Sequence, residues 1–298
     1  MLLCLSLCVS VTFARKGYVK QQIYVTAFDE LDISSMYVAT LEKSNSFEIV
    51  LEVPEQLMTY ARTQVVNEKV IFSFDMDRMS RSERQYLSEH RPYVRIKAPA
   101  FRKLNLYGAT SMDLQGSFRL DEVELTMSGA TSFNAGALNA KKLILDLSGA
   151  SNAKIGKGET DFLEMDIAGA SSCDLSSVEA KRMKMEIAGA SKMKVLDLVA
   201  DELKMEIYGA SHCLLSSVES KKLELDLAGA SSLKMKAFAE NADVEVAGMS
   251  KMNWEPLLDK VGECLDIEVS GMSVINANKV RFHKVNREVS GMSKLQMK

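Results

Sequence analysis

Sulfur and imidazole are scarce and scattered in this sequence, with five cysteines and three histidines in 298 residues and no Cys-x-x-Cys pair. Structural zinc and disulfide frameworks need such groups clustered, so neither is expected. Cys4 and Cys8 fall in an apolar N-terminal stretch, which leaves Cys173, Cys213 and Cys264, an odd number. Charge of one sign is also missing. A net charge of −3 gives no overall basic excess for phosphate binding, and nucleic acid is set aside as a partner. No apolar run approaches the roughly 20 residues that cross a bilayer as a helix, so the chain is not expected to span a membrane. Disorder is excluded by an ordinary balance of 47% apolar to 26% charged residues.

Residues 1–14 carry Leu2, Leu3, Leu5, Leu7, Val9, Val11 and Phe13 and end in Ala14, ahead of Arg15 and Lys16. No basic segment precedes this run, yet its length and its small terminal residue match a secretory h-region. It predicts a signal peptide over 1–14, cleaved after Ala14, and an exported product that is periplasmic, outer-membrane associated or extracellular. Cys8 does not read as a lipoprotein cysteine, because bulky Leu7 precedes it.

What the sequence has in abundance is a repeat. A glycine in the frame apolar-x-Gly-(Ala/Met)-(Ser/Thr) recurs at Gly108, Gly129, Gly149, Gly169, Gly189, Gly209, Gly229, Gly248, Gly271 and Gly291. Successive spacings are 21, 20, 20, 20, 20, 20, 19, 23 and 20. Aligning the units on that glycine gives columns of alternating character. The residue two before it is always apolar, from Leu106 through Ile187 to Val289. The residue four before it is apolar from Leu104 to Ile267 and becomes Arg287 in the last unit. Beyond the glycine, the fourth and sixth positions are again apolar, as in Met193 and Val195, and Val178, Leu198, Val218 and Phe238 suggest a third short side. Period-two alternation marks strands with one buried face.

Twenty residues arranged this way cannot bury an inner face alone. Ordering each backbone residue costs roughly 1–2 kcal/mol, while each inward side chain returns about 1.5–3 kcal/mol. The units must stack, which predicts an all-β, single-stranded parallel β-helix of about ten 20-residue rungs over residues 101–298. Glycine suits the hinge because it accepts backbone angles that a Cβ disfavours. Helical solenoids fit poorly, since no window holds a 3.6-residue stripe. Leucine-rich repeats lack support too, because their asparagine-bearing strand edge is missing.

Residues 15–100 lack the glycine frame but read as a β-rich lead-in and cap. Strands are expected at Ile23–Val25, Phe47–Val53 and Val70–Phe74, a solvated loop at Arg78–Arg91, and entry into the first rung at Tyr93–Ile96. The opening Phe28-Asp29-Glu30-Leu31-Asp32-Ile33, the strand-rich lead-in and the serial Gly-Ala-Ser and Gly-Met-Ser frames resemble the head GIN domain family of autotransporter adhesins. That resemblance covers nearly the whole chain after the leader. It implies a surface or secreted β-helix of Bacteroidetes-type bacteria, a role in adhesion and no established catalytic residues.

Residues with chemistry are weighed against that scaffold. Three before each glycine from Gly149 onward stand Asp146, Asp166, Glu186, Glu206, Asp226, Glu245, Glu268 and Glu288, an outward carboxylate ladder. It reads either as a screened surface network or as a site for divalent cations or a basic partner. Polysaccharide lyases and hydrolases of the pectin lyase type need converging acids on one face, and here the acids repeat along the stack. The hexapeptide period and catalytic histidine of left-handed acyltransferase helices are absent. The Ser/Thr two after each glycine reads as corner hydrogen bonding, and Cys173 and Cys213 as buried free thiols two rungs apart. His212 reads as a surface residue, and Trp254 lies beside the irregular 19- and 23-residue units, where a bulge or a pocket is expected. No catalytic residue and no cofactor is expected. The reading is a non-enzymatic exported scaffold that binds glycan or protein through its long faces, with self-association through an open end. A carbohydrate-active enzyme and an architectural spacer are the alternatives.

Overall fold

The computed structural model describes residues 15–257 and 259–297, so the expected leader lies outside the described residues. The chain forms a parallel β-solenoid of about ten turns. It divides into two compact units, 1–136 and 137–298.

In the N-terminal unit the glycine-framed strands Lys103–Gly108 and Arg119–Gly129 pair in parallel, with Gly129 opposite Gly108. A rung without glycine lies against them. Glu30–Ile33 pairs with Lys103–Gly108, and Val38–Lys43 pairs with Ser111–Gln115, all parallel. The corner between these two strands is Ser35, at φ +76°. On their other side come Lys69–Phe74 and Tyr93–Ala98, also parallel. Parallel stacking then stops. Glu48–Pro54 runs antiparallel to Tyr93–Ala98, Tyr18–Ile23 antiparallel to Glu48–Pro54, and Ala61–Val66 antiparallel to Lys69–Phe74.

One expectation here is corrected. The segment expected as a solvated loop, Arg78–Arg91, contains an α-helix, Arg81–Glu89. Its start is set by a capping box. The Ser80 hydroxyl accepts from the Glu83 backbone N–H, and the Glu83 carboxylate accepts from the Ser80 N–H at 2.7 Å. Leu87 alone of its residues is fully buried, and that is too little apolar periodicity to reveal a helix.

In the C-terminal unit the strands Asn152–Ile167, Ser172–Ile187, Lys192–Ile207 and His212–Leu227 stack in register, so that Met165, Met185, Met205 and Leu225 fall in one column. Each strand bends around the core without a break in extended backbone. In the rung after Gly189, Met193, Val195, Leu198, Ala200, Leu203, Met205 and Ile207 are all buried. At about 1.5–3 kcal/mol for the larger of these, burial becomes sufficient only when rungs are covered on both sides.

The two irregular units have local explanations. In the 19-residue unit Leu215 faces Met235 but Val218 faces Ala237, so Ser216 and Ser217 are opposed by Lys236 alone. The inward column of Val178, Leu198 and Val218 therefore continues at Ala237, and Phe238, expected in that column, is only partly covered. In the 23-residue unit the extra residues follow Pro256 and precede Gly262. Trp254 stays in the core column, its indole N–H donating to the Ala237 carbonyl at 3.1 Å and its ring edge-on to Phe282. The irregularity is thus a bulge, with the tryptophan serving as core.

Candidate functional site

Each corner is built the same way. Gly189 has φ +77°, and a Cβ on it would stand 2.5 Å from the Gly169 carbonyl oxygen, the acceptor for the Ala190 N–H. All ten frame glycines have positive φ. From Ser151 to Ser273 the serines two residues on point inward and are buried. Ser151, Ser191 and Ser231 donate to the carbonyls of Ser148, Ala188 and Ala228 at 2.6–2.9 Å, which closes the turn. They present no binding face. The residue between, Ala or Met, is exposed, and Met249, Met272 and Met292 extend into solvent, so stacking does not demand a small side chain there.

The acidic ladder is continuous. Asp146, Asp166, Glu186, Glu206, Asp226, Glu245, Glu268 and Glu288 are register partners in series, one per rung, on the outside of the strand that leads into each glycine. Basic neighbours engage the ladder and the acids in the next outward column. Lys204 pairs with Glu206 at 2.9 Å and Lys184 with Glu164 at 3.6 Å, and Lys222 pairs with Glu224. The Tyr208 hydroxyl donates to Asp226 at 3.0 Å. Glu206 is held below the ordinary carboxylate range, chiefly by its hydrogen bond from Lys204. Burial, followed by Asp226, pushes Tyr208 above the ordinary phenol range. Beside the ladder, Phe162, Arg182, Glu202 and Lys222 line a shallow groove of about 190 Å³, with the Arg182 guanidinium over the Phe162 ring at 5.8 Å. Among the described residues, no three His, Cys, Asp or Glu side chains come together as a metal site.

The remaining candidates lie apart. Cys173 and Cys213 are buried free thiols in one column with Met193 between them, and burial pushes both up to about 12, away from reactive thiolate. His212 is exposed. At the last rung a hollow of about 790 Å³ is lined by Phe282, Val285, Arg287 and Met297, with Arg281 paired to Asp259 at its rim. Not legible from the inward columns alone are the outward lysines of the strand that leaves each glycine, among them Lys154, Lys194 and Lys234, although the same alignment on glycine lines them up.

Fold and site together define a repeat scaffold whose polar chemistry is laid out in lines along parallel rungs. Residues 27–216 match the family described as "Putative auto-transporter adhesin, head GIN domain", and the chain belongs to that family. Among solved structures, a "putative adhesin" from Parabacteroides merdae ATCC 43184 is similar at TM-score 0.52 and 12% identity, covering 95% of this chain and 96% of that one. One from Parabacteroides distasonis ATCC 8503 gives 0.48 and 13%, covering 93% and 96%. One from Bacteroides fragilis NCTC 9343 gives 0.48 and 12%, covering 95% and 98%. At 12% identity the likeness to the Parabacteroides merdae structure speaks to fold alone. No curated protein matches the chain. No helix among the described residues is long and apolar enough to cross a membrane.

Proposed function

We propose that the chain is an exported, non-enzymatic adhesin or envelope scaffold that binds a glycan or protein through the long faces of its solenoid. The observation that carries this reading is the register of the outward columns. One chemical group recurs on every rung from Asp146 to Glu288, about 4.8 Å apart, which suits an extended partner better than a single small substrate. The adhesin family supports it at the level of the family's name. Self-association belongs to the same proposal. Val289, in a column buried elsewhere, is 50% exposed beside exposed Met292, an apolar patch that a second copy would cover.

The test is retention of the purified chain on a glycan array and on intact cells, run alongside turnover assays on a polysaccharide panel. Retention on a subset of surfaces without turnover is the expected result. Turnover overturns the reading in favour of a carbohydrate-active enzyme, and retention nowhere overturns it in favour of an architectural spacer.

A further inference from the structure

The net charge of −3 conceals a segregation by face. In the C-terminal unit, the outward columns three and five before each glycine hold the eight-carboxylate ladder plus Glu164, Glu224, Asp243 and Asp266, against only Lys184 and Lys204. The outward columns three and five after each glycine hold Lys154, Lys192, Lys194, Lys234, Lys251 and Lys294, against only Asp174. The columns next to the hinge are therefore acidic before it and basic after it, with Lys142, Arg182, Lys222 and Lys284 one outward position further back on the acidic side. The two sets of lysines also differ in their partners. Lys184 and Lys204 are engaged by carboxylates on their own face. On the basic face Lys234 reaches Glu255 at 3.8 Å, and among the described residues Lys154, Lys192, Lys194, Lys251 and Lys294 form no ion pair. All six are exposed.

We propose that this basic face is the binding surface for an acidic polysaccharide, a linear glycan carrying carboxylate or sulfate groups. The inference rests on the adhesin reading and names its ligand class and its face. Lys154, Asp174, Lys194, Leu214 and Lys234 are successive register partners, so cations recur on alternate rungs, about 10 Å apart in a line. That interval is comparable with a disaccharide repeat bearing one charge. Asp174 stands between Lys154 and Lys194, exposed Leu214 stands between Lys194 and Lys234, and exposed Leu196 follows Lys194 on its own strand, the two leucines being apolar patches of the kind that the C–H faces of sugar rings cover. On the same strands Ser232 adds a short hydroxyl, while Asn152 donates to Ser172 at 2.6 Å and Asn253 to Glu255 at 3.1 Å. Duplex nucleic acid is the poorer fit, because its charge every ~1.7 Å calls for a much denser basic lattice.

The experiment measures binding of the full chain to hyaluronate, which carries one carboxylate per disaccharide, to neutral dextran and to duplex DNA, comparing wild type with Lys154→Glu/Lys194→Glu/Lys234→Glu. Thermal melts of the variant establish that it folds, and the exposure of all three sites makes an unchanged melt the expected control. The expected result is salt-sensitive binding of an acidic glycan, none of dextran, and at least a tenfold loss in the variant. Equal binding by the variant overturns the assignment of this face while the adhesin reading stands. Equal or tighter binding of DNA overturns the glycan assignment and leaves a non-specific polyanion surface. Binding of no glycan, with a salt-sensitive self-association that the variant abolishes, overturns it in favour of the acidic face of a second copy.

Discussion

The rungs at Gly169, Gly189, Gly209 and Gly229 and those at Gly248, Gly271 and Gly291 share one frame but differ in what that frame supports. In the first group the apolar columns are buried almost completely. In the last rung Val289 is half exposed, Arg287 stands in the column that holds Ile267 and Met185, and the Ser293 hydroxyl has no partner among the described residues. The glycine corner survives unchanged, at φ +69° for Gly291. Corner geometry is thus set within the frame, whereas burial is set by the rung that covers it.

The largest break in this comparison is a charge in the column. Met185→Asp buries a carboxylate without a partner and is expected to cost about 4 kcal/mol or more, while Val289→Asp, half exposed already, costs under about 1 kcal/mol. Lys184→Asp, next to Met185 but outward, also stays under about 1 kcal/mol. Thermal or urea melts of the three rank them, and equal losses from Met185→Asp and Lys184→Asp would sink the alternation.

Next in size is the corner. Gly189→Ala forces a Cβ against the Gly169 carbonyl at positive φ, for an expected cost of about 2–3 kcal/mol. Ser35 has the same sign of φ without being glycine, because what pairs beneath it is the strand Lys69–Phe74 and not another corner; its hydroxyl accepts from the Phe74 N–H. Ser35→Ala should therefore lose that hydrogen bond only, about 1 kcal/mol. A smaller effect separates the serines. Ser191→Ala removes a buried 2.7 Å bond to the Ala188 carbonyl, for about 1 kcal/mol, while Ser293→Ala removes an unpartnered hydroxyl and should leave the melt unchanged or raised. Melts showing equal costs would refute the claim that covering rungs, and not the frame, determine these energies.

Much of this was legible in the residues because parallel in-register stacking copies the sequence period directly into space. Columns such as Met165, Met185 and Met205 need no further information to be placed inward. What escaped was whatever breaks the copying. The deletion opposite Ser216 and Ser217 could be placed anywhere in the unit from spacing alone, and only the pairing shows that Ala237 replaces Phe238 in the core. Ser35 was invisible because the corner search required glycine. The helix Arg81–Glu89 turned on Ser80 and Glu83, a capping pair without an apolar stripe to draw attention to it. Of the candidate sites, the acidic ladder could be read because its column is unbroken, whereas the column of Lys154, Lys194 and Lys234 is lined up by the same alignment but interrupted by Asp174, Leu214 and Asn253, so it has no single character to notice.

The smallest effect lies in the acidic ladder, where the same two groups of rungs differ again. Carboxylates about 4.8 Å apart repel by roughly 1 kcal/mol in water, less with salt. In the middle rungs Lys184 and Lys204 occupy the neighbouring outward column, but beside Glu245 and Glu268 that column holds Asp243 and Asp266. Glu245→Gln/Glu268→Gln should therefore raise the melting temperature at low salt more than Asp166→Asn/Glu186→Gln, and both gains should fade as salt is added. Glu206→Gln should run the other way, since it breaks the 2.9 Å pair with Lys204. Because Glu206 has its folded pKa depressed, its contribution is present above the unfolded carboxylate pKa and is lost as pH falls through the folded one. The Glu206→Gln variant should accordingly show a shallower loss of stability on acidification than wild type. Calcium titration completes the comparison. If the ladder is only a screened surface network, calcium shifts wild type and the neutralised variants equally. A rise confined to wild type, with the neutralised variants unmoved, would instead make the ladder a cation site and the repulsion between its carboxylates the reason it binds.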